Sequence, residues 1–112
     1  MDFNWDDSIL TIDGYYVTCE KVGDRVKVNF THRCPEYKYF ERVVFFWEIC
    51  PDGRVIPTNM DWTRRHGNVK EAFKELSSDP TTQYSYGIAI RHLIILQGYS
   101  ELYGNILLDN LR

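Results

Sequence analysis

Three groups of residues in this 112-residue chain have the types and spacing to do chemistry. The most concentrated is Trp62-Thr63-Arg64-Arg65-His66-Gly67, which runs into a helix-start pattern at Asn68 with Lys70 and Lys74 beyond. A helix N-terminus exposes free backbone N–H groups and a partial positive charge, so two arginines and a histidine just before it compose an anion site. Trp62 would add a flat surface for a base. The plainer reading makes Arg64 and Arg65 loop cations that balance the acidic first half of the chain. Residues 1–53 hold ten Asp and Glu against six Lys and Arg, whereas residues 54–112 hold six against seven.

The second group is aromatic and acidic. Eight tyrosines raise the aromatic content to 15%, and tyrosine supplies large contact area at low entropic cost. Tyr16, Tyr37 and Tyr39 are expected on or near one sheet face, with Glu20 and Glu36 beside them and Asp13 and Asp24 close in sequence. Aromatics ringed by carboxylates suit a basic protein surface. The bland alternative is that helices cover both faces and these tyrosines only pack.

The third group is Cys19, Cys34 and Cys50. An odd count without CxxC spacing argues against a disulfide framework and against a zinc site. Cys34-Pro35 and Cys50-Pro51 sit where turn chemistry already explains the proline, so no metal or cofactor is expected. Cys19 should be inert packing in the sheet core. For catalysis, His66 with Arg65 and Lys70 lacks a fixed second acid, and His92 inside an apolar run reads as a hydrogen-bonded core histidine. No GxSxG, HExxH, P-loop or GxGxxG occurs, so no catalytic residue is assigned and an enzyme is the less favoured class.

The elements that must position these groups are organised around Phe40–Ile49. Period-two reading puts Val43, Phe45, Trp47 and Ile49 on one face and Phe40, Val44 and Phe46 on the other. A run apolar on both faces is a central strand, with Phe46 and Trp47 both core residues and helices covering at least one side. Before it, Ile9–Ile12, Tyr15–Val22 and Arg25–Thr31 are joined by Asp13-Gly14 and Gly23-Asp24, two-residue hairpin loops. Those loops set Val17 opposite Phe30, Cys19 opposite Val28 and Glu20 opposite Lys27, gathering the apolar residues on one face. Residues 1–7 read as an acidic lead-in. Cys50-Pro51-Asp52-Gly53 is a type I turn into a short edge strand ended by Pro57.

From Asn68 the period becomes helical. Asn68 and Glu71 form a capping box, and Val69, Ala72, Phe73 and Leu76 share a face. Asp79-Pro80 opens a second helix, for which 81–97 is assigned helix although 83–90 also alternates like a strand. Tyr99, Leu102, Tyr103, Ile106, Leu107 and Leu111 make an amphipathic third helix, weakened by Gly104.

The expected fold is α+β: a single domain over 1–112, with about five mostly antiparallel strands in residues 8–58 packed by two or three C-terminal helices. The start of the chain has no secretion signal and no run long enough to span a membrane, so a cytoplasmic protein is expected. The leading functional reading is a small module that binds another protein. It fits, by size, mild acidity and lack of catalytic signature, the inhibitors carried by phages and mobile elements, such as an anti-CRISPR-type inhibitor of a nucleic-acid-handling enzyme. The alternative is a nucleotide- or nucleic-acid-binding module using Trp62, Arg64, Arg65, His66 and Lys70 in the basic cluster 62–74.

Overall fold

A computed structural model describes residues 3–6, 9–32, 43–57, 68–74 and 76–112. Six strands form one antiparallel sheet in sequence order: β1 (Phe3–Asp6), β2 (Ile9–Ile12), β3 (Tyr15–Val22), β4 (Arg25–His32), β5 (Val43–Ile49) and β6 (Val55–Pro57). Among the described residues three helices follow: α1 (Val69–Phe73), α2 (Pro80–Leu96) and α3 (Glu101–Leu111). The fold is α+β. The five strands expected within residues 8–58 are present, and β1 extends the sheet beyond them.

Local chemistry explains most of this register. Asp13 and Gly14 both have positive φ, 47° and 82°, as a type I′ turn requires. The β3–β4 loop then aligns Val17 with Phe30, Cys19 with Val28 and Glu20 with Lys27. Gly53 N–H donates to the Cys50 carbonyl at 3.1 Å, closing the turn into β6. Pro57 ends that strand at the sheet edge.

One sheet face and the helices share a single apolar cluster. Leu10, Ile12, Val17, Val26, Val28, Phe30, Trp47 and Ile49 are all fully buried in it. Trp47 is its centre, with ring centroids 4.6 Å from Phe30 and 4.5 Å from Phe73 of α1. Val69 and Leu76 flank Phe73 in the same cluster.

Residues 80–96 are helical, as the Asp79-Pro80 start implies. Asp79 accepts from the Thr82 hydroxyl at 2.7 Å and from the Thr82 backbone N–H at 3.1 Å, and those bonds, the hydroxyl's first, hold its carboxyl below the usual range. Asn68 caps α1 by accepting from Glu71 N–H at 2.9 Å, but the Glu71 carboxylate takes Lys74 at 3.1 Å. The hairpin of α2 and α3 closes through a Schellman pattern, Gly98 N–H to Ile95 and Tyr99 N–H to Ile94. Gly104 is a site of close approach between these helices. A Cβ there would collide with the Cβ and Cγ of Arg91 and lie 3.1 Å from its Cα.

Four expectations need correction. A bulge in β5 breaks the period of two: Phe45 pairs with Phe30, but Val43 pairs with Thr31. Period two from Phe45 would have set Val43 opposite His32 instead. Phe46 is only half-buried, on the face away from the helices. His92 is exposed on α2 and is no core histidine. Leu102, expected on the buried face of α3, is 49% exposed.

Candidate functional site

Strand alternation sends every second residue to the face that the described helices do not cover. On β3 these are Tyr16, Thr18 and Glu20; on β4, Lys27, Asn29 and Thr31; on β5, Phe46 and Glu48. Pairing arranges them in rows across the sheet. One row runs Thr11, Tyr16, Thr31; the next runs Thr18, Asn29, Phe46; the third runs Glu20, Lys27, Glu48, Ile56. None of the side chains on this face belongs to the buried apolar cluster.

The middle of the face is a tied polar grid. Lys27 Nζ lies 3.8 Å from Glu20 Oε1 and 4.0 Å from the Phe46 ring centroid. A cation over a ring is held by the quadrupole of its π-face. Asn29 Nδ2 donates to the same Glu20 oxygen at 3.4 Å. Arg25 donates to Glu48 Oε2 at 3.0 Å, and that hydrogen bond raises the guanidinium further above its ordinary range. Each ion pair is partly exposed, so solvent screening leaves it only a small contribution to stability. Their main effect is to fix side-chain positions. Asn29 itself is only 8% exposed, and among the described residues its Oδ1 has no hydrogen-bond partner. A buried acceptor left unpaired costs on the order of 1–3 kcal/mol.

Tyr16 and Glu20 therefore share one face, as expected, with the half-buried Tyr16 ring one row beyond the Asn29 row. Tyr37, Tyr39 and Glu36 lie outside the described residues. So do Trp62, Arg64, Arg65 and His66 of the basic cluster, while Lys70 is exposed on the one-turn α1. The Glu71 N–H at the start of α1 is already taken by Asn68. Lys27, Asn29 and Phe46 were not singled out in the sequence as site residues. Their signal was available: Glu20–Lys27 followed from the loop register, and Phe46 follows from period two.

Cys19 sits on the opposite, covered face, and burial pushes its thiol up to about 12. A thiol that stays protonated is a poor nucleophile and a poor ligand. Among the described residues, no three His, Cys, Asp or Glu side chains cluster as a metal site would require. Among them, too, no helix is long and apolar enough to cross a membrane.

Comparison of the chain with protein-family models, with curated proteins and with solved structures found no match to any of them.

Proposed function

We propose that this protein is a small protein-binding module, an inhibitor or adaptor, whose contact surface is the sheet face opposite the helices. One observation carries the reading: the described helices cover one face of the sheet, while Tyr16, Phe46 and Glu20 stand on the other without joining the core. A two-layer fold needs only one apolar face. Aromatic rings kept on the other face, Phe46 held under the Lys27 ammonium that Glu20 also binds, are the kind of anchor that protein interfaces favour. Because Glu20 and Glu48 already answer Lys27 and Arg25, the face offers aromatic area inside a charge-balanced frame. Attraction to a basic partner then falls to Asp13 and Asp24, both exposed in the hairpin loops. The proposed partner is another protein, with a nucleic-acid-handling enzyme as the class to test first.

The test is site-directed photo-crosslinking in native-host lysate, with the photoreactive residue at position 16 on the sheet face or position 78 on the helix side. A discrete adduct of one protein from position 16, absent from position 78, supports the reading. Adducts of equal yield from both positions, or nucleic acid as the captured species, would contradict it.

A further inference from the structure

Among the described residues two amide side chains are buried, Gln83 and Asn29. Gln83 is accounted for: its amide donates to the Ser77 carbonyl at 2.8 Å and ties α2 to the turn before it. Asn29 is not. It stands near the middle of β4, on the sheet face that the described helices leave uncovered, and is 8% exposed. Its neighbours there are Lys27 and Thr31 along the strand, Thr18 on β3 and Phe46 on β5. Its Nδ2 reaches Glu20 at 3.4 Å, a long bond, and among the described residues its Oδ1 accepts nothing. Asparagine is also a poor strand former. A buried carbonyl oxygen without a donor destabilises the free chain, and native structures keep few of them.

We propose that Asn29 is the polar anchor of the contact face and that it takes a neutral carboxamide, the side chain of an Asn or Gln on the bound protein. This assignment rests on the sheet face being the contact surface. Charge selects the class. Lys27 carries its ammonium 3.8 Å from Glu20 and 4.0 Å from the centre of the Phe46 ring, so an entering Lys or Arg would meet a like charge beside Asn29. An entering carboxylate has no proton to give to Oδ1. A carboxamide supplies both groups required: an N–H for the Asn29 oxygen and a carbonyl for the Lys27 ammonium. The Lys27–Glu20 separation is beyond ordinary hydrogen-bond length, so the lysine tip turns to that carbonyl at little cost. The Asn29 oxygen is closed over in the free chain. An entering amide has to displace a flanking side chain, and the flexible Lys27 is the one that yields, a rotamer change of the kind interfaces commonly make. Once the bound protein covers the face, the oxygen and the amide satisfy one another away from water, and a group lacking the N–H is refused.

Calorimetry with the protein captured through position 16 tests this on wild type and Asn29→Leu, which keeps the size of the side chain without its polar ends. N29L should lose at least about fivefold in affinity, and by the same factor at about 50 mM and about 500 mM salt, because a hydrogen bond between neutral groups is not screened. Its urea midpoint, with far-UV circular dichroism to check the fold, should equal or exceed that of wild type, since the free chain no longer carries an unpaired oxygen. Equal or higher stability together with weaker binding separates an anchor from a structural residue. Capture of no protein through position 16 removes the contact surface and this assignment with it. Capture followed by wild-type affinity for N29L overturns the assignment alone and leaves the contact surface standing. A midpoint below wild type makes Asn29 a structural residue and also overturns it. A loss of affinity seen only at low salt means that a charged group enters, and overturns the carboxamide.

Discussion

Trp47→Ala removes the ring that joins Phe30 of the sheet to Phe73 of α1 and leaves a cavity at the centre of the core. Loss of a buried aromatic of this size should cost roughly 3–5 kcal/mol, read as a lower denaturant midpoint. Phe46→Ala, one residue away on the half-exposed face, should cost less, about 1–2 kcal/mol, from its partial burial and the lost contact with the Lys27 ammonium. Equal losses for the two would contradict the division of β5 into a covered and an uncovered side. Cys19 gives a prediction in pH. Its thiol is raised from 9.0 to about 12 by burial, so between those values the unfolded chain has released a proton that the native state keeps. The contribution is therefore fully present below pH 9 and is lost as pH rises towards 12. Urea midpoints of wild type should fall relative to Cys19→Ala across that window and run parallel below it; parallel curves throughout would mean the thiol is not buried as described.

At the level of elements, the α2–α3 hairpin offers a test in which two physical effects oppose. Gly104→Ala raises helix propensity by about 1 kcal/mol. It also drives a methyl group into the Arg91 side chain and against its backbone, and overpacking of this kind costs about 1–3 kcal/mol. The variant should melt below wild type, whereas propensity alone would make it melt above. Gly87→Ala should be milder, because its added Cβ meets only the mobile ends of Leu111 and Leu108. The same hairpin shows where sequence reasoning succeeds and where it stops. Asp79-Pro80 named the start of α2 because capping is local, and Asp13-Gly14 fixed a hairpin because positive φ is local. The glycine at 104 read as a weakness, since nothing nearby in sequence announces that Arg91 will lie against it. The β5 bulge was hidden for a similar reason: skipping Val44 is decided by pairing with β4, which sits eleven residues or more away. β1 was hidden by its own acidic residues. His92 and Leu102 were misplaced because α2 and α3 are apolar on more than one side, so periodicity could not choose the buried one.

For the whole molecule, the candidate surface was legible to the extent that alternation is. Tyr16 and Glu20 fell on one face in the sequence and do so in the fold, whereas the grip of Lys27 between Glu20 and Phe46 needed three strands in register. The basic cluster at 62–67 remains the competitor, and the two surfaces predict opposite mutational patterns. The most direct measurement is an affinity comparison by calorimetry, using the protein captured through position 16 and four forms of the chain: wild type, Y16A/E20K, R64A/R65A and I88K. The account predicts at least about a tenfold loss for Y16A/E20K, since anchors in an interface centre typically carry more than 1 kcal/mol each. It predicts near-wild-type affinity for R64A/R65A, which the account gives no part in the contact, and for I88K, whose change lies on α2 and off the sheet face. Binding that survives Y16A/E20K but collapses in R64A/R65A, with a steep dependence on salt, would contradict the account and move the functional surface to the basic cluster.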